Sequence, residues 1–145
     1  MSSLLPFSFN NTVLFNVLVD GKTWTRAKEV CEALEYQKGK SRDILRKHVG
    51  AENKQHKFSL EGCHDLGHPL EWPKNSQPSE YYINEEGLYE LVFTSQQPKA
   101  KEFLKFCFND MFPKIRKELT DKIIEEKKAQ FQDIQYESMR KKQSN

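Results

Sequence analysis

Three cysteines in 145 residues, odd in number and none close to another, cannot supply a disulfide framework. Reduced thiols and an intracellular location are therefore expected, in the cytoplasm or nucleus of a host if the chain is viral. No segment approaches 18 consecutive apolar residues, so no membrane association is expected, and "MSSLLPFSFNN" lacks the basic start and apolar run of a signal peptide. Net charge is nearly missing as well, at +2, so the bulk value says little about partners. There is no Gly-rich phosphate loop, serine elbow or HExxH, and four scattered histidines make no acid–base pair. These absences point to a non-enzyme without cofactor or metal.

Large apolar side chains are nevertheless present. Ten Phe, five Tyr and two Trp offset a hydrophobic fraction of only 37% and exclude wholesale disorder. The length fits one domain with an appendage. Charged residues, 30% of the chain, are unevenly distributed. Residues 38–57 hold seven basic against two acidic groups, a local charge of +5, and residues 99–117 hold six against two, a local +4. Between them Glu80 to Glu90 carries four Glu and no base, which predicts a polarised surface.

Read for periodicity, "TVLFNVLVDGKTWT" gives strands at about 13–19 and 22–24 around Asp20-Gly21, a dipeptide suited to a tight hairpin. Thr25 then caps a helix whose Ala27, Val30, Cys31 and Leu34 share one face. "YQKGK" breaks it, and Ser41 caps a second helix burying Ile44, Leu45 and Val49. The pair resembles a helix-turn-helix, with Arg42, Arg46 and Lys47 on the second helix.

Gly50 to Glu80 reads as polar and irregular, with "KFSL" and "YYI" as strands of a hairpin with a long tip. Asn84 caps a helix that carries Leu88, Leu91 and Val92 and stops near Ser95; Pro98 starts another. That helix shows two apolar stripes, Phe103, Phe106 and Cys107, and Leu104, Phe108, Met111 and Phe112, and is expected at the centre of the core. After Pro113 a Lys-, Glu- and Gln-rich composition favours one extended helix with an interrupted apolar seam at Ile115, Leu119, Ile123, Phe131 and Ile134. The expected class is α+β: a small antiparallel sheet or hairpins packed with several helices, plus a long C-terminal helix.

"WTRAKEVCEALEY", "DILRKHV", "INEEGLYELVFTSQQPKAKEFLKF" and "FPKIRK", in this order from about Leu14 to Lys117, resemble the Bro-N family, the amino-terminal domain of baculovirus repeated-ORF proteins and related phage antirepressors. The resemblance implies a small α+β DNA-binding domain over residues 13–117, between an N-terminal extension (1–12) and a helical tail (118–145). It implies a regulatory, antirepressor-like role in transcription for a protein of viral or prophage type. The chain departs from the family pattern where Thr94, Gln96 and Gln97 replace basic residues, where Glu90 stands in place of a frequent Arg, and where Phe106 replaces a tryptophan.

The candidate DNA-binding residues are Lys38, Lys40, Arg42, Arg46 and Lys47, with Arg26 and Lys28 on the first helix and Lys99 and Lys101 at the "PKAK" junction. Cations so grouped release counterions when they neutralise phosphates. The bland alternative is a solvated face. Cys63, His64 and His68 have zinc-ligand chemistry but only Asp65 beside them as a fourth ligand, so an ordinary loop is preferred. Cys31 and Cys107 fall on apolar stripes as small hydrophobes. The tail offers a rival function, protein interaction or homodimerisation through the C-terminal helix, against the alternative of an exposed helix stabilised by i,i+4 ion pairs.

Overall fold

A computed structural model describes residues 4–63 and 70–143. The chain divides into two compact units, Met1–Met111 and Phe112–Asn145. The first is α+β, built on five antiparallel strands: β1 (Leu4–Phe9), β2 (Thr12–Val19), β3 (Lys22–Arg26), β4 (Lys54–His56) and β5 (Tyr81–Asn84). Their spatial order is β1-β2-β3-β5-β4, which leaves β1 and β4 at the edges. Its helices are α1 (Ala27–Ala33), α2 (Ser41–His48), α3 (Lys57–Cys63), α4 (Glu85–Thr94) and α5 (Ala100–Phe106).

Two tight turns start the sheet. Asp20 and Gly21 both have positive φ (50° and 83°), as the sequence predicts, and join β2 to β3. Asn10 and Asn11 (44° and 67°) do the same between β1 and β2. Leu4–Phe9 lies within the stretch read as an extension, yet it pairs along its whole length with β2, and Phe9 packs edge-on against Phe103 with ring centroids 5.2 Å apart.

Alternation along the strands splits the core between two faces. One holds Val17, Val19, Trp24 and Tyr82, covered by Leu60 of α3 and flanked by Leu70 and Trp72. Leu14, Asn16, Thr25 and Ile83, also buried, alternate with those positions and point to the opposite face. The buried Asn16 amide is satisfied there: its Oδ1 accepts from the Thr25 hydroxyl at 2.6 Å, and its Nδ2 donates to the Leu5 carbonyl at 3.2 Å. Thr25 therefore caps nothing. It is the last strand position but one, and α1 starts after Arg26 with no side-chain cap; α2 likewise starts without a cap from Ser41.

"KFSL" is not a strand. β4 precedes it, and the chain turns into α3 where the Lys57 and Phe58 N–H groups donate to the carbonyls of Glu80 and Pro78. The long hairpin itself is present, as β4 and β5 pair antiparallel. Asn84 does cap α4, its Oδ1 accepting from the Gly87 N–H at 2.8 Å, and α4 ends before Ser95. The next helix begins at Ala100, two residues beyond Pro98.

Both apolar stripes on that helix are split between core and surface. Phe103 and Cys107 of one and Met111 of the other are fully buried, whereas Phe106 and Leu104 are half-buried and Phe108 is 62% exposed. A π-helical turn at Cys107–Met111 follows α5 and widens the spiral just before Pro113, which has no N–H to give. Tyr89, Phe93, Leu104 and Phe108 then line an open apolar cavity of about 410 Å³. The second unit is one helix, α6 (Phe112–Gln143), about 48 Å long at 1.5 Å per residue. Ile123, Ile124, Phe131, Ile134 and Met139 are exposed along it.

Candidate nucleic-acid interface

The polar face of α2 is set by its helical spacing. Ile44 and Leu45 are buried, so Arg42, Arg46 and Lys47 are turned outward. The Val49 and Leu45 carbonyls at the end of α2 each receive a 3.1 Å bond from Lys54 Nζ. Lys54 thus belongs to the scaffold, where its charge suits the negative end of a helix dipole. Lys57 is also used internally, donating to the Ser76 carbonyl at 3.0 Å and lying 5.4 Å from the Trp72 ring centre. Two of the seven bases counted in residues 38–57 are therefore withdrawn from the surface charge.

Two adjoining cavities run along the start of α2. One, of about 260 Å³, is lined by Arg26, Lys28, Ser41 and Arg42 together with Ser79, Glu80 and Tyr81 among others. The other, of about 290 Å³, is lined by Lys28, Lys38 and Ser41 with Tyr36 and Gly39 among others. Lys28 and Ser41 border both, so Lys28, Lys38 and Arg42 surround one seryl residue although 14 positions of sequence separate the first from the last. Gly39 permits this arrangement by taking φ of 82° in the connection between α1 and α2. Among the described residues, Lys38, Lys40, Arg42 and Lys47 have no ion-pair partner and are exposed.

Other candidates differ in their engagement. Arg46 lies 3.2 Å from Asp43, but both are largely exposed, so water screens the pair. Lys28 lies 3.7 Å from Glu80 and is half exposed. Lys99 pairs with Glu102 at 3.6 Å, and neither Lys99 nor Lys101 lines the α2 cavities.

Arg26 is sequestered: 5% exposed, it donates from Nε and Nη2 to the two carboxylate oxygens of Glu80 at 2.9 and 2.7 Å, and from Nη1 to Glu29 at 3.2 Å. Burial alone would raise the Glu80 carboxyl, but the bonds from Arg26 and Ser76 hold it below the ordinary carboxylate value. Glu29 shows the opposite balance. Its burial outweighs the Phe15 N–H and Arg26 and pushes it up to about 7. Glu80, the only carboxylate among the described residues that line the first cavity, is thus already neutralised by a bidentate guanidinium.

Glu90, one of the departures from the family pattern, has an internal use. Its carboxylate accepts from the Gly50 N–H and from Asn53 Nδ2, and Asn53 in turn accepts from Asn84 Nδ2 at 3.1 Å. This chain ties the segment after α2 to the start of α4, so a carboxylate rather than a cation fits there.

Sequence reading did not find Ser79, Glu80 or Tyr81 as cavity walls. The antiparallel pairing of β5 with β3 brings them there, and only the alternation of "YYI" hinted that Tyr81 and Tyr82 face opposite ways. The thiols of Cys31 and Cys107 are buried, and desolvation pushes Cys31 up to about 12. No group of three His, Cys, Asp or Glu among the described residues is placed to hold a metal, and His64 and His68 lie outside the described residues. No helix among them is long and apolar enough to cross a membrane.

A five-stranded antiparallel sheet packed with several helices is the α+β architecture that the resemblance implies. The model of the BRO family, N-terminal domain, matches residues 14–113, and the chain belongs to that family. It is similar to a putative Bro-N domain-containing protein 289L of Invertebrate iridescent virus 6, with 33% identity over 96 residues. That match covers 62% of this chain and 22% of the viral protein. No solved structure matches.

Proposed function

We propose that the first unit is a non-enzymatic, DNA-binding regulatory domain of viral or prophage type. The observation that carries the reading is the convergence of Lys28, Lys38 and Arg42 on Ser41, at the edge of two cavities, of which the first has its carboxylate, Glu80, held by the internal Arg26 and the second has Glu32 on its wall. Arg42, Arg46 and Lys47 continue the positive surface along α2, with Lys40 at its entrance. Arg26 supports this surface from beneath by holding Glu80, and does not itself meet phosphate. Lys99 and Lys101 provide a separate, secondary contact.

Each phosphate neutralised by a lysine or arginine releases condensed counterions, so log affinity falls with log salt by about 0.9 per contact on duplex DNA. Replacing Lys28, Lys38 and Arg42 together with Ala is expected to reduce that slope by roughly 2 to 3 in a fluorescence-anisotropy titration against random duplex at several salt concentrations. Replacing Lys99 and Lys101 should reduce it by no more than about 2. An unchanged slope in the triple variant refutes the interface.

A second reading is supported by α6. Five of its large apolar side chains are exposed, which favours recruitment of a partner or a second copy through that helix.

A further inference from the structure

The groove lined by Tyr89, Phe93, Leu104 and Phe108 is an apolar surface open to water, with Lys105 and Asn109 completing its lining. The Tyr89 ring centre lies 6.3 Å from that of Phe93 and 6.2 Å from that of Phe108, and these two flanking rings are 72% and 62% exposed. Its α4 and α5 walls differ in charge. On α4 the exposed Glu86 precedes Phe93 by seven positions and shares its face; on α5 the exposed Lys101 stands one turn before Lys105.

The surface of α6 has the matching pattern. At 3.6 residues per turn Ile123, Ile124, Phe131 and Ile134, all exposed, fall within about 100° of arc. Glu126 and Asp133 flank that arc on one side and Lys128 on the other. Lys127 falls inside it, where its methylenes can cover a ring while the ammonium reaches water. From Ile123 to Ile134 is less than two heptads, too short a seam for two such helices to hold each other as a coiled coil. The spacing suits a helix seated in a groove by a few anchors.

We infer that the chain self-associates by seating α6 of one copy in the α4–α5 groove of another. Phe131 and Ile134 meet the Tyr89, Phe93 and Phe108 rings, Glu126 and Asp133 run along the Lys101 and Lys105 wall, and Lys128 turns towards Glu86. The inference rests on the reading of α6 as a recruiting helix and names both its partner and the surface that receives it. A second copy is favoured because the basic and the acidic wall are each answered by a flank of opposite sign from the same sequence. Each copy also holds both halves of the contact. The exchange can therefore be reciprocal, which doubles the buried surface towards the roughly 1,200–2,000 Å² of specific interfaces.

The test is light scattering on a sizing column, with sedimentation over a dilution series of the full chain to give a dissociation constant. The parent is expected to be a dimer. Phe93→Glu with Phe108→Glu changes two exposed rings, so the variant should fold, which far-ultraviolet circular dichroism verifies, and the dissociation constant should rise at least ~30-fold. Lys101→Glu with Lys105→Glu should raise it by roughly 3- to 30-fold, and adding Glu126→Lys with Asp133→Lys to that chain should restore it. A monomeric parent at every concentration overturns the inference and leaves α6 to recruit a different protein. A dimer lost on Ile124→Glu with Phe131→Glu but kept in the Phe93 and Phe108 variant overturns the groove while the α6 reading stands. A charge reversal that weakens the dimer and is not rescued overturns the pairing of walls with flanks.

Discussion

Arg26, Glu29 and Glu80 put two carboxyl groups and one guanidinium under the candidate interface; burial raises both carboxyls, but only for Glu80 do the bonds from Arg26 and Ser76 outweigh it. Glu29, pushed up to about 7 by desolvation, keeps its proton in the folded protein over a range where the unfolded chain, ionising near 4.5, has lost it. Its contribution to stability is therefore fully present below about pH 4.5 and is lost as pH rises towards 7. Glu80 contributes in the reverse sense, fully above the ordinary carboxylate value and less as pH falls through its lowered one. Between pH 5 and 7.5 the Glu29 effect should dominate. Urea denaturation of the parent across that range is expected to show a fall in stability of up to about 3 kcal/mol that Glu29→Gln lacks. Superimposable profiles for the two proteins would contradict this assignment.

At the scale of elements, the segment after α2 and the start of α4 approach so closely that only glycine fits between them. A Cβ on Gly87 would lie 2.7 Å from the Asn53 carbonyl oxygen, a backbone atom that cannot rotate away. Gly87→Ala should cost about 1–3 kcal/mol, read as a lowered midpoint in thermal unfolding, with α4 still capped by Asn84. The helices with strong apolar spacing, α1, α2 and α4, were legible in sequence because a single buried face dictates their pattern. The Asp20-Gly21 turn was legible because few residues tolerate positive φ in succession. Leu4–Phe9 was not: Leu5, Phe7 and Phe9 do alternate with the exposed Pro6 and Ser8, but a short stretch with a proline fits irregular chain as well as an edge strand, and the pairing with β2 decides. "KFSL" misled because four residues cannot distinguish a strand from a helical turn, and what decides is the Glu80 carbonyl that meets Lys57 from 23 positions away. The candidate site divides in the same manner. Arg42 and Lys38 follow from local spacing, whereas the burial of Arg26 and the neighbourhood of Tyr81 depend on strand pairings that no short segment encodes.

For the molecule as a whole, the two units pose different questions. The first gathers unpaired cations; the second leaves Ile123, Ile124, Phe131, Ile134 and Met139 in water, a cost that association would offset. If α6 recruits a second copy, Ile124→Glu combined with Phe131→Glu should convert a dimer to a monomer in light scattering on a sizing column. Affinity for duplex should fall at the same time, because linking two interfaces raises avidity. A monomeric parent at all concentrations would dispose of self-association and leave an external partner for the helix.

Lys54 links parts of the first unit that would otherwise report to different elements. Its backbone belongs to the strand that carries His56, and its ammonium grips the last carbonyls of the helix that carries Arg42. The edge strand and α2 are consequently braced together by one ammonium group, and neither can slide along the other without breaking both of its bonds.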